Sequence, residues 1–103
     1  MDHTARLTLP FIMPSQAQKH ITHNEAIQAL DALVQPVVQS RVLATPPTTP
    51  MEGEAWIVPA GATGAWASHT DEIAAWQAGA WTFLDPAAGW QVYDRSDSTQ
   101  LVF

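Results

Sequence analysis

Pro14 and Pro36 bracket a stretch with neither glycine nor proline, Ser15 to Val34 (SQAQKHITHNEAIQALDALV). Proline lacks an amide hydrogen and pushes the residue before it away from helical angles, so a helix here is confined between the two. The stretch is rich in Ala, Gln, Leu and Glu, which form helices readily. Ser15 suits the N-cap, with Gln18 as its capping-box partner. Ala17, His20/Ile21, Asn24, Ile27, Leu30/Asp31 and Val34 recur at a period near 3.6, and Ala26, Ala29 and Leu33 widen the apolar stripe. Thr22 and Glu25 offer a second capping pair, so a fresh start at Thr22 is the alternative; Glu25 to Leu33 is helical either way.

A chain of 103 residues is one domain or part of one, with a modest core. Apolar residues make up 47% and charged residues only 14%, a low share for a free-standing monomer. Such a surface is expected to be covered by copies of the chain or by a larger assembly. Ten acids against four bases give a net charge of −6, which argues against nucleic acid as a partner. Without cysteine there is no disulfide and no thiolate metal site. The first apolar run, Leu7 to Met13, is too short and too proline-broken for a signal peptide, and no stretch approaches a membrane span.

Residues 1–6 are polar and expected to be loose. Leu7 to Pro14 reads as an extended apolar arm, since its two prolines exclude a helix and confine it to an edge strand or polyproline-like form. It either covers the chain's own helix or packs on a neighbouring subunit. Val37 to Leu43 is rich in β-branched residues and predicts a strand. Residues 44–53 (ATPPTTPMEG) form a Pro-rich connector, the clearest seam in the chain. Beyond it, strands are expected at Ala55–Val58, from Ala65–Trp66–Ala67, at Glu72–Trp76, Ala80–Leu84, Trp90–Asp94 and Gln100–Phe103. Gln77–Ala78–Gly79 marks a hairpin. The fold class expected is α+β, an N-terminal helix packed on a small antiparallel meander. It forms one domain over 1–103, with arm, helix and first strand in 1–43 and a Trp-rich β region in 54–103. The apolar finish Leu101–Val102–Phe103 predicts a packed terminus or a cut from a longer fibre protein.

All five tryptophans lie beyond residue 55, on short strands beside small residues. They serve as core filling for a small sheet, or as a stacking platform for sugar rings. For the platform Trp66 and Trp90 are the preferred pair, each beside a glycine-containing turn, with Trp76 as a third. His20 and His23 with Glu25 have the spacing of a partial metal site, but a closed site needs three or four ligands, and none is expected. The polar run Gln16 to His20 suits a helix lying between subunits. The serines lack a nucleophile-elbow context, and Asp71/Glu72, Glu52/Glu54 and Asp94/Asp97 sit near turns as solvated acids do. Gly61–Ala62–Thr63–Gly64 has no lysine to make it a phosphate loop. The chain is therefore read as a non-enzyme without cofactor.

The segments LPFIMPSQAQKH (9–20), HNEA (23–26) and LDALV (30–34) resemble a phage-associated family of unknown function found in alphaproteobacterial prophages and gene transfer agents. The resemblance continues through Trp56–Ile57–Val58, Gly61 to Ala67, Ile73 to Trp76, Gly79–Ala80–Trp81 and Gly89–Trp90. It implies a virion component, in proteins similar to tail fibres or head spikes, made in the bacterial cytoplasm and placed near the start of a longer fibre. The resulting expectation is an attachment and assembly domain that forms a homo-oligomer, a trimer or pentamer, and contacts other virion proteins. Leu9, Phe11, Ile12, Gln16, Gln18, His20 and Asn24 are its assembly interface. The alternative is a carbohydrate-binding module for host surface polysaccharide, using Trp66, Trp90 and Trp76.

Overall fold

The computed structural model describes residues 2–12 and 19–103, with the side chains of residues 19 and 20 left aside. The expected cap at Ser15 with Gln18 therefore lies outside the described residues. The chain divides into two compact units, Met1–Val34 and Gln35–Phe103.

In the first unit, residues 2–11 fold back on themselves rather than forming a loose start and an extended arm. The Thr4 amide donates to the Leu9 carbonyl at 2.9 Å and the Phe11 amide to the Asp2 carbonyl at 3.0 Å, with His3 bridged to Pro10. The Thr4 hydroxyl, buried inside the reversal, accepts the Leu9 amide at 2.8 Å. A polar side chain in the supposedly loose segment thus closes the turn. Pro10 has no amide to give, which helps keep the pairing to a single bridge. The helix α1 spans Lys19–Leu33. It ends as its sequence predicts: Gln35 takes the left-handed region at φ 45°, and Pro36 follows.

The second unit contains six short strands: β1 (Val37–Val38), β2 (Ala55–Ile57), β3 (Ile73–Gln77), β4 (Ala80–Leu84), β5 (Gln91–Asp94) and β6 (Thr99–Val102). The α+β class holds, but the strands do not form one meander. They make two three-stranded sheets, ordered β1-β5-β6 and β2-β3-β4, and β1 runs parallel to β5. The strand expected over Val37–Leu43 stops at Val38. Beyond it the Gln39 amide donates to Ala55 at 2.7 Å and the Ser40 carbonyl accepts Ile57 at 3.1 Å. Those two bonds join the sheets into one hydrogen-bonded series, β6-β5-β1-β2-β3-β4.

Ala65–Trp66–Ala67 forms no strand; Gly64–Trp66 is a 3-10 turn. Gly64 sits at φ 62°, and the Trp66 and Ala67 amides bond back to Thr63 and Gly64 at 3.3 and 3.1 Å. The hairpin between β3 and β4 closes after Gln77↔Ala80, so Ala78 and Gly79 form the two-residue turn. Their φ values, 53° and 75°, are those of a type I′ turn. The Glu52 carboxylate accepts the Ala78 amide at 2.7 Å. Alanine is strained in this left-handed position, whereas asparagine tolerates it. Ala78→Asn is expected to stabilise the protein by about 0.5–1 kcal/mol, read as a raised urea midpoint at unchanged slope; a lower midpoint would refute the turn assignment.

Candidate functional site

Two of the residues expected to form an assembly interface, Ile12 and Asn24, meet inside the chain. The Asn24 side chain grips the backbone of Ile12 from both sides: its Oδ1 accepts the Ile12 amide at 2.8 Å, and its Nδ2 donates to the Ile12 carbonyl at 3.0 Å. Two helical turns on, the buried Asp31 accepts the Arg6 amide at 3.1 Å and the Leu7 amide at 2.7 Å. The Arg6 guanidinium returns to the end of the helix, donating to the carbonyls of Asp31 and Val34. Residues seven apart share one helix face, so Asn24 and Asp31 act as two clasps on the same segment. The arm therefore docks on its own helix. Leu9, Phe11 and Ile12 are half-buried there. Asn24 spends its amide within the chain, while Gln16, Gln18 and the His20 side chain lie outside the described residues. Sequence reading placed Asp31 on the correct face but gave it no role. A carboxylate interrupting an apolar stripe was the available signal.

Beside the clasps, on the adjoining flank of the same apolar stripe, α1 is partly bare. Leu30 and Val34, one turn apart, are 48% and 43% exposed, and Ile27 beside them is half-buried. Near the start of the helix, Thr22, His23 and Ala26 line an open, largely apolar hollow with Ile12.

In the second unit four of the five indoles pack on one another. Trp56, Val58, Trp66 and Ala74 are buried together, with Ala62, Trp81 and Phe83 packed against them. Ring centroids lie 6.0 Å apart for Trp56–Trp66, 5.6 Å for Trp56–Trp81 and 5.3 Å for Trp66–Trp81. Trp76 meets Trp81 edge-on at 5.0 Å. These tilted and edge-to-face contacts are favoured by the ring quadrupoles. They correct the sugar-platform assignment of Trp66, which is 0% exposed. The 3-10 turn that replaces the expected strand carries its ring into the core. Trp76 is half-buried against Trp81, and of the three only Trp90, at 37%, is open to solvent. The three do not form a platform. The Trp66 Nε1 is buried without a hydrogen-bond acceptor.

Two polar clusters were missed as such. Asp94, buried at the end of β5, accepts the Ser96 amide at 2.8 Å and hydroxyl at 2.6 Å, and Arg41 spans from it to Asp97. Burial works against the charge of Asp94, but the bonds from Ser96 and Arg41 outweigh it, so its pKa lies below the usual 3.8. A lowered carboxylate pKa stabilises the fold fully above the unfolded value, and that share is lost as pH falls through the folded one. The stability gap between wild type and Asp94→Asn is therefore expected to be widest near neutral pH and to shrink below about pH 4, measured by urea unfolding at each pH. A gap that widens in acid would refute the assignment. In the second cluster His69 holds Glu72 through Nδ1 at 2.7 Å and stacks flat on Phe83, centroids 3.6 Å apart at 4°. The i, i+3 spacing of His69 and Glu72 was the legible sign. A carboxylate so placed orients an imidazole, as in a catalytic triad. Among the described residues, however, no hydroxyl is bonded to the ring.

Among the described residues no group of three or more His, Asp or Glu is placed to hold a metal ion, and no helix is long and apolar enough to cross a membrane. No curated protein matches the chain. A family model covers most of it, including the helix side of the arm–helix clasp, Asn24 and Asp31, and the whole Trp-cored unit. The chain belongs to the family described as protein of unknown function DUF2793, whose model matches residues 23–103.

Proposed function

We propose that this chain is an attachment and assembly domain of a fibre or spike on a phage-like particle, working as a homo-oligomer. The observation that carries this reading is the exposed apolar pair at the end of α1, with Leu30 and Val34 open to solvent in a chain only 14% charged. A lone exposed apolar residue needs no explanation, but Leu30 in the last turn of α1 and Val34 just past its end make an adjacent pair, which favours a covered position. The clasped arm supports the same reading. With Asn24 and Asp31 holding residues 6–12, the helix is a braced element able to carry a contact. The sequence resemblance to fibre- and spike-associated proteins supplies the particle.

Native mass across a concentration series tests the reading. A discrete trimer or pentamer is expected, since fibres are symmetric and closed rings are the economical assembly. A chain that stays monomeric at every concentration overturns it.

A further inference from the structure

The hydrogen-bonded series of the second unit ends in two different open edges, β4 and β6. In β4 the pairs Ile73↔Leu84, Ala75↔Thr82 and Gln77↔Ala80 alternate with Ala74↔Phe83 and Trp76↔Trp81. The Trp76 amide is taken by Glu54 on the far side of β3, so the Trp76↔Trp81 pair is one that exchanges no bonds. Trp81 and Phe83 therefore direct their N–H and C=O groups outward. The same parity holds at the other end. The Phe103 amide bonds to Trp90 at 2.8 Å and the Tyr93 amide to Pro36 at 3.0 Å, which turns the backbone groups of Gln100 and Val102 outward from β6. Among the described residues no hydrogen bond reaches any of these outward groups. Neither edge carries what usually blunts one: Ala80–Leu84 and Thr99–Val102 contain no charge and no proline.

We propose that copies of this chain join edge to edge, β6 of one lying on β4 of the next, so that the sheets run on from subunit to subunit. The proposal rests on the assembly reading above and names its surface. Each edge offers two outward residues two positions apart, so the donors and acceptors of one meet those of the other in register. In a molecule of net charge −6, two uncharged strands are where like-charged copies approach with least repulsion. Because the two edges differ, the contact is head-to-tail, the kind that builds closed rings or open filaments rather than a two-fold dimer.

Amide hydrogen exchange of the wild-type chain, followed with native mass from dilute to concentrated solution, is the test. The amides of Trp81, Phe83, Gln100 and Val102 are expected to slow together, by about tenfold or more, as the oligomer forms. Val102→Pro removes one outward donor and no bond within the chain; it is expected to lower the oligomer fraction while the near-ultraviolet signal of the indoles persists. An oligomer in which these four amides keep their dilute rates overturns the edge contact and leaves the assembly reading standing. Protection confined to one edge overturns the head-to-tail form. A monomer throughout overturns both.

Discussion

Replacing Trp66 with alanine is expected to lower stability by about 3–5 kcal/mol, the usual cost of emptying a buried aromatic site. For a chain of this size that moves the melting temperature down by on the order of 20 °C. The reason is geometric. Trp66 is fully enclosed and touches Trp56 and Trp81, and Trp81 in turn meets Trp76. The cavity is walled by rigid rings carried on two strands, and rigid walls do not collapse to refill it. Trp66→Phe should cost distinctly less. It keeps most of the contact area and removes the Nε1–H, which is buried with no acceptor. Trp90→Ala, at an exposed ring, is expected to stay within about 1 kcal/mol of wild type. Thermal melts followed by near-ultraviolet circular dichroism give all three values. If Trp66→Ala melts close to wild type, the indole cluster is not the core of this unit.

The second large effect belongs to Asp31. Its carboxylate accepts the amides of Arg6 and Leu7 in a buried position, so Asp31→Ala leaves two donors without an acceptor. Stranding buried donors costs about 1–3 kcal/mol each, and about 3 kcal/mol in all is expected. Asp31→Asn keeps one amide oxygen and should lose about half as much. The readout is hydrogen exchange along α1. The amides of its last two turns are expected to speed up, because Arg6 also holds the carbonyls of Asp31 and Val34 at the helix end. Asn24→Ala frees Ile12 and should speed exchange nearer the helix start. Unchanged exchange in Asp31→Ala would mean that the arm holds itself without the helix.

The elements set by near neighbours were legible. The helix between two prolines, the turn at Ala78–Gly79 and the strands either side of residues 95–98 follow from spacing and turn chemistry within a few residues. The candidate sites were less so. Asn24 was placed on the working face of the helix but assigned to another subunit, because an amide that pairs across chains looks the same in sequence as one that clasps Ile12. Trp66 reads as the middle of a short strand in sequence, an aromatic residue between two alanines. Gly64 in its left-handed conformation and the amides bonding back to Thr63 and Gly64 made a 3-10 turn instead and sent the ring inward.

By itself, then, the sequence determined the α+β class, the helix stop before Pro36, the hairpin turn at Ala78–Gly79 and a chain poor in charge. These depend on residue type and on contacts a few positions apart. Tertiary structure alone decided that β1 pairs in parallel with β5 across more than half the chain, and that Asp94 is buried under Arg41. It likewise decided that four of the five tryptophans pack on one another, and that the sheet series ends in two open edges. Alternation records that a strand has two faces, but not which strand lies beside it; that choice is made by the whole core at once, where burying the large rings outweighs any local preference.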